Sequence, residues 1–290
     1  MPRSHALRAG HSLQFTLNPS TPVLLRPDGA VQVGWDPRRA VLVHPPSGLN
    51  AAGLAELLRT MQSGATLAQL NSRFGVDTSE LVASLVDSGV VTTVARRRTR
   101  SASIRIHGRG PLSDVLASAL RCSGARVTQS SLTKAAPPQT TDLVVLSDFL
   151  VADPRVVREL HIARVPHLMV RMRDGAGLVG PLVIPGVTSC LDCADLHRSD
   201  RDAAWPAVAA QLRDTVGSAD RATVLATAAL ALNQVDRVIR AVRAGDDVGR
   251  SPAPPPTLNT TLEFDVNTGS IMARRWARHP RCQCTRRRHG

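Results

Sequence analysis

The chain contains no tyrosine and few aromatic residues of any kind. Phe, Trp and Tyr together make up 2% of its 290 residues, which disfavours recognition of RNA or single-stranded bases by stacked aromatic side chains. Lys134 is the single lysine, although 36 basic residues against 23 acidic ones give a net charge of +13. The sequence also lacks a run of about 18 apolar residues and a signal-peptide pattern. We therefore expect a cytoplasmic protein without membrane contact.

The length and the hydrophobic pattern predict two domains of an α/β protein. Residues 1–95 combine short β-prone runs, three helical periodicities and a last strand, which is the outline of a winged helix-turn-helix domain. Residues 96–103 form a polar, arginine-rich linker. Residues 104–290 open on alternating strands and helices, which favours a Rossmann-type α/β domain with a parallel sheet and crossover helices.

Four of the five cysteines form two close pairs, Cys190 with Cys193 and Cys282 with Cys284. A pair separated by one or two residues presents both sulfurs to one metal, and two such pairs complete a closed, structural zinc site. Disulfides are rare in the cytosol, so zinc is favoured over disulfide bonds and over unrelated thiols. A redox pair is disfavoured because Cys190 is expected in a loop rather than at the start of a helix. His279 could replace one sulfur, but we interpret it as incidental or as a residue behind the ligands.

A glycine-rich loop follows the first predicted strand of the second domain. Gly108 and Gly110 precede a predicted helix, which is the context that a dinucleotide-binding motif requires. The motif is incomplete, since Ser113 stands at the third glycine position and residues 129–133 supply no carboxylate for a ribose. Gly108 and Gly110 are thus candidate nucleotide-binding residues, and the alternative is that they serve packing alone.

Several motifs together resemble one family, the ThiF-like proteins of actinobacteria. These are relatives of ubiquitin-activating enzymes and are found as cyclodehydratase-associated partners in the biosynthesis of thiazole- and oxazole-modified peptides. Residues 1–95 resemble the PqqD-like, leader-peptide-recognising winged helix that such proteins carry. The resemblance covers nearly the whole chain and rests mainly on the segments 180–186, 190–193, 195–198, 200–202, 205–206 and 279–284.

The resemblance implies a peptide-binding scaffold rather than an enzyme. Active adenylating members carry ATP- and magnesium-contacting residues before the next strand, where this chain has only residues 129–141, so neither ATP nor a catalytic residue is expected. The implied partners are a precursor or leader peptide, a YcaO-type enzyme and a second copy of the chain. Such peptides join the edge of a small sheet, here expected within 30–43 and against the third helix, with contacts from Val31, Val33, Val41, Leu81 and Leu85.

Two alternatives stay open at this point. One is an ATP-dependent adenylating enzyme with unusual residues, and the other is a basic winged-helix protein that binds nucleic acid. The third predicted helix contains Glu80 and Asp87 but no Arg or Lys, which disfavours reading of DNA by that helix. The charged segment 197–202 could bind a partner or line a cleft, or it could be an exposed loop of paired charges.

Overall fold

The computed structural model describes residues 13–95, 100–130, 141–244 and 254–286. The chain divides into two compact units, residues 1–98 and residues 99–290, and each is described by itself. The arginine-rich linker predicted for 96–103 lies partly outside the described residues, and so does most of the segment 129–141. Across the described residues, no helix combines the length and the apolarity that a membrane crossing requires.

Unit 1 is built from short strands and three helices in its described residues. In chain order they are β1 (Leu13–Leu17), β2 (Val23–Leu25), β3 (Val31–Val33), β4 (Val41–Val43), α1 (Ala51–Gln62), β5 (Ala65–Thr66), α2 (Leu67–Phe74), α3 (Ser79–Asp87) and β6 (Val91–Ala95). Strand β1 pairs antiparallel with β5 and β6, and β3 pairs antiparallel with β2 and β4.

Helix α1 organises the core of unit 1. Its apolar residues Leu54, Leu57, Leu58 and Met61 are fully buried, as their helical spacing predicts. The Asn50 side chain caps the helix by accepting a hydrogen bond from the backbone N–H of Gly53. Helix α1 thereby fixes the position of the sheet β2-β3-β4, against which it packs.

The sheet β2-β3-β4 places Val31 and Val33, two of the predicted peptide contacts, on a strand without an open edge. Val31 and Val33 lie on β3, the central strand, and their side chains are buried at 0% and 4% exposure. A central strand has both of its edges paired, so no further strand can add to β3. Within 30–43, only β4 ends the sheet, and it carries the partly buried Val41.

Unit 2 contains seven strands in one sheet within its described residues. In chain order its elements are β7 (Ser103–His107), α4 (Pro111–Leu120), β8 (Arg126–Ser130), β9 (Leu143–Ser147), α5 (Pro154–Ile162), β10 (His167–Arg173), β11 (Ala176–Val183), α6 (Leu191–Ser199), α7 (Trp205–Leu212), α8 (Arg221–Ala244), β12 (Thr260–Asp265), β13 (Ser270–Arg275) and α9 (Gln283–Arg286).

The sheet is mixed, so the expectation of a parallel sheet holds for only part of it. Its strand order is β13-β12-β11-β10-β9-β7-β8. The strands β8, β7, β9 and β10 are parallel, whereas β11, β12 and β13 add in antiparallel fashion. The hairpin between β10 and β11 reverses the chain at Asp174 and Gly175, and this reversal leads it towards the first cysteine pair.

Helices cover both faces of the parallel half of the sheet. Along β9, Leu143 and Val145 face a core formed with α4 and α8, while Val144 and Leu146 face α5. Successive side chains of a strand point to opposite faces, and a parallel strand covered on both sides is therefore apolar throughout. This arrangement leaves the carboxyl ends of β7, β9 and β10 side by side, with α5, α6 and α7 near them.

Candidate functional site

The four paired cysteines come together at one end of unit 2. The Sγ–Sγ distances are 3.6 Å for Cys190 and Cys193, 3.5 Å for Cys190 and Cys282, and 3.3 Å for Cys193 and Cys284. A disulfide would need about 2.05 Å, whereas sulfurs around one tetrahedral zinc ion lie about 3.8 Å apart. Three of the four residues are buried, with Cys284 partly exposed, so the donor set could bind a metal such as zinc.

The protonation of these thiols depends on their neighbours. A hydrogen bond with Cys190 lowers the pKa of Cys193 to about 4, and burial raises the pKa of Cys282 to about 12. The pKa of Cys190 is raised, first by its hydrogen bond with Cys193 and then by burial. Four thiolates in so small a volume would repel one another, and a divalent cation would stabilise the fully deprotonated cluster.

Cys190 does not lie in the loop that was expected for it. Cys190 is the N-cap of α6 and Cys193 lies in its first turn, so the pair does open a helix, and its predicted loop position is not a reason against redox chemistry. The stronger reason is the approach of Cys282 and Cys284, since a redox pair needs two sulfurs and this cluster has four. The N-terminus of α6 also stabilises negative charge on nearby sulfur.

His279 lies behind the sulfurs and does not replace one of them. Its backbone N–H donates to Cys193 Sγ at 3.3 Å. Its ring bonds Asp200 through Nε2 at 2.7 Å and accepts the backbone N–H of Arg281 at Nδ1. The hydrogen bond from His279 lowers the pKa of Asp200. His197 lies beside both groups, but its Nε2 already pairs with the carbonyl of Ala277.

The glycine loop leads into a second site, in which the chain supplies its own anion. Asp148 follows β9 directly and is fully buried. Its carboxylate accepts the backbone N–H of Leu112 at 2.9 Å and that of Ser113 at 3.1 Å, and it also accepts the Ser113 hydroxyl. The N-terminus of α4 would otherwise offer these donors to a phosphate. Asp148 therefore pairs with backbone donors of the kind that bind phosphate at other helix N-termini.

The two glycines of the loop are required by this close packing. A Cβ on Gly108 would lie 2.3 Å from the carbonyl oxygen of Ser147, and a Cβ on Gly110 would lie 2.8 Å from Asp148 Oδ1. Gly110 also has a φ of +152°, a conformation that side chains disfavour. The structure thus gives Gly108 and Gly110 a packing role against Ser147 and Asp148. Ser113 stands where the dinucleotide-binding motif has its third glycine, and its hydroxyl donates a hydrogen bond to Asp148.

Sequence reasoning did not identify Asp148. The available signal was an aspartate placed directly after an apolar strand, because the carboxyl end of β9 lies next to the loop that follows β7. Asp148 also has a φ of +72°, which Asp and Asn adopt more readily than most residues. No sequence pattern in the chain predicts a positive φ at this residue.

Two further predicted groups take different places from those expected. Leu85 is buried at 3% exposure in the core of unit 1, and Leu81 packs against the same core. The charged segment 197–202 is not a loop throughout, since α6 extends to Ser199. Arg198 bonds Asp195 at 2.6 Å and belongs to the wall of a cavity rather than to the open surface.

The fold is similar to several solved structures, although the sequence matches no protein-family model and no curated protein. A heterocyclase solved in complex with substrate and cofactor shares 15% identity at a TM-score of 0.66, over 93% of this chain and 39% of its own. The heterocyclase TruD shares 18% identity at a TM-score of 0.62, over 94% of this chain and 42% of its own. E. coli MccB, solved with SeMet MccA, shares 13% identity at a TM-score of 0.54, over 93% of this chain and 99% of its own.

These similarities establish the fold. The chain spans about two fifths of the length of the two heterocyclases and nearly the whole length of MccB. The mixed α/β architecture of unit 2 thus occurs in known proteins.

We expect Asp148→Asn to destabilise the protein by about 1–3 kcal/mol. Asparagine keeps the backbone preference at this position, so the change isolates the loss of the charge and of one acceptor oxygen for buried donors. Urea unfolding followed by circular dichroism measures the difference. Asp153→Asn, at the N-cap of α5, is the matched control and should cost less because that residue is partly exposed. Unchanged stability of Asp148→Asn would mean that the carboxylate does not hold the α4 N-terminus.

Proposed function

We propose that this protein is a non-catalytic, precursor-peptide-binding scaffold of the ThiF-like type, which presents a peptide to a YcaO-type cyclodehydratase during the modification of ribosomal peptides. The single observation that carries the proposal is the Asp148 carboxylate at the N-terminus of α4. The likeness of the fold to two heterocyclases and to MccB supports the biosynthetic setting. A homodimer, as the motif resemblance implies, is part of the proposal.

Asp148 supports the non-catalytic part because it opposes the binding of ATP. A nucleotide phosphate at the glycine loop would meet a buried carboxylate within hydrogen-bond reach of the same two backbone donors. Two anions at one helix N-terminus repel each other in a medium of low dielectric constant. ATP could bind there only if Asp148 gave up its three hydrogen bonds. The phosphate would then pair the donors, but the buried Asp148 carboxylate would lose its partners, which costs more than about 1–3 kcal/mol for a charged group.

In this proposal unit 1 acts as the PqqD-like domain, and its strand β4 offers an open sheet edge to the peptide. Facing residues in an antiparallel sheet alternate between hydrogen-bonded and non-hydrogen-bonded pairs. Hydrogen bonds from Arg26 N to Ala30 O and from Gly34 N to Pro22 O establish which pairs are which in the sheet β2-β3-β4. In that alternation the backbone N–H and C=O of Leu42 point away from β3, and the Leu42 side chain is 49% exposed. An extended peptide could pair with β4 through these groups.

Apolar side chains beside this edge would contact the peptide. Leu24 and Leu42 lie on the same exposed face, in register with Gln32 between them, and Trp35 is 81% exposed. Trp35 is one of three tryptophans in the chain, and exposed apolar surface of this kind can mark an interaction site. The opposite edge of the sheet is less accessible, because the Arg59 side chain donates to the carbonyl of Val23 on β2.

For the four cysteines we propose structural zinc. Four sulfur ligands form a closed coordination shell and leave no position for a reacting water. The ion would join the start of α6 to the segment around Cys282 and Cys284, which lies much later in the chain. Its binding energy would then contribute to the folding of both segments.

Purified protein should contain about one zinc ion per chain, measured by inductively coupled plasma mass spectrometry. Cys190→Ser and Cys282→Ser should each lose most of the metal and lower the melting temperature, because each removes one of four ligands. Cys122→Ser is the matched control, since Cys122 is exposed and does not belong to the cluster, and it should keep both. Metal content near zero in protein purified without chelators would reject the site.

The tagged protein should capture a short precursor peptide or a YcaO-like enzyme from its native host, identified by mass spectrometry. Leu42→Pro should reduce the yield of peptide because it removes the outward N–H from an edge strand that tolerates proline. Leu42→Thr keeps that N–H and is the control that should retain more peptide. Partners that disappear on nuclease treatment would instead favour the nucleic-acid alternative.

ATP–pyrophosphate exchange separates the scaffold from an adenylating enzyme. With the captured peptide present, the exchange rate should stay at the background of the protein-free reaction, because Asp148 occupies the phosphate position. Exchange above that background would make the protein an adenylating enzyme and would contradict the non-catalytic proposal.

A further inference from the structure

A cavity of about 320 Å³ lies in unit 2, on the α5 side of the sheet. The segment that follows β9, from Leu150 to Ala152, and the strand β10 form its base, and α5, α6 and α7 form its walls. It lies at the carboxyl ends of parallel strands, where ligands commonly bind in open α/β sheets. Its volume is at the lower end of the range for small-molecule sites. Neither the cysteine cluster nor the glycine loop accounts for it.

Arg171 gives the cavity an incompletely paired positive charge. Among the described residues, its guanidinium makes one hydrogen bond, from Nη1 to the carbonyl of Leu150 at 2.7 Å. Burial lowers the pKa of Arg171 to about 10, so the group still carries its proton at neutral pH. A guanidinium has five N–H donors, and those that Leu150 does not use remain for a ligand.

The second arginine of the wall is held in a different way. Arg198 donates to Asp195 at 2.6 Å, and Asp195 also accepts the indole N–H of Trp205 at 3.2 Å. The Arg198 guanidinium stacks over the rings of Trp205 and Trp276, with distances to the ring centres of 5.1 and 4.9 Å. Its charge is therefore largely neutralised by Asp195, and the group forms a rigid wall.

The charge of the whole lining favours an anion. The lining includes three arginines, Arg171, Arg198 and Arg213, against two carboxylates, Asp192 and Asp195. Since Asp195 pairs with Arg198 and Asp192 is exposed to solvent, the inner surface keeps the charge of Arg171. The rest of the wall is mainly apolar and includes Val157, Met169, Pro181 and Leu191.

We propose that this cavity binds a small carboxylate that carries an apolar group, with the carboxylate on Arg171 and the apolar group between α5 and α7. A planar guanidinium matches a carboxylate in geometry and can donate two parallel hydrogen bonds. The walls of Val157 and Trp205 bury an apolar group of about the size of one amino-acid side chain. This binding involves unit 2 alone and does not depend on peptide capture by unit 1.

Saturation-transfer NMR on the full chain tests this binding with matched acid and amide probes. N-acetylleucine should bind about tenfold or more tightly than N-acetylleucinamide, because a charge-assisted hydrogen bond is worth more than a neutral one. The peptide N-acetyl-Ala-Gly-Ala-Leu distinguishes two sources of the carboxylate. Tighter binding than N-acetylleucine assigns the site to a peptide C-terminus, and weaker binding assigns it to a free small acid.

Two pairs of variants locate the binding. Arg171→Gln should remove the preference for the acid, while Arg155→Gln, an exposed arginine on α5 outside the lining, should keep it. Ala209→Phe should fill the cavity from α7 and abolish binding, whereas Ala207→Phe, an exposed residue of the same helix outside the lining, should not. The α7 pair tests the proposal even if Arg171→Gln fails to fold.

Equal binding of acid and amide by the unmodified protein would overturn the proposal. Binding that survives Ala209→Phe would do the same, and so would an acid preference that persists in folded Arg171→Gln. Failure of peptide capture by unit 1 would leave these results unaffected, so the two proposals fail separately.

Discussion

The convergence of four cysteine sulfurs is the constraint on which the arrangement of unit 2 depends. It joins the first turn of α6 to a segment near the other end of the chain, at Sγ–Sγ distances of 3.3–3.6 Å. Once these segments are joined, His279 reaches Asp200, and Trp276 reaches Arg198. The orientation of α6, and with it one wall of the cavity, therefore follows from the position of the sulfurs.

The Asp148 carboxylate gives the neighbouring region a different character. A glycine loop before a helix usually leaves backbone donors for a ligand, but here a side chain of the protein satisfies them. The local consequence is a well-packed N-terminus of α4, with Gly108, Gly110 and Ser113 all fitted to Asp148 and Ser147. A motif that resembles a nucleotide site can thus persist as a packing arrangement, because the same small residues serve both purposes.

Much of the fold could be predicted from the sequence, since local patterns report local structure. The helical spacing of Leu54, Leu57 and Leu58 and the cysteine spacings are of this kind. The pairing of β11 with β12 could not be derived in the same way, because a long stretch of chain that includes α6, α7 and α8 separates the two strands. The central position of β3, the carboxylate of Asp148 and the place of Arg171 in the cavity depend on contacts between distant segments. Residue patterns within one segment do not predict such long-range contacts.

The cavity and the cysteine cluster are connected through Arg198. Its guanidinium lies between Trp205, on the cavity wall, and Trp276, which precedes the second cysteine pair. A ligand that orders Trp205 and a metal that orders the segment after Trp276 would both favour one position of Arg198. Because each binds only the folded arrangement, each would stabilise it by RT ln(1 + [L]/Kd), where [L] is the free concentration of that ligand. If both restrict Arg198 to that position, binding of one favours binding of the other, and the coupling must be equal in both directions.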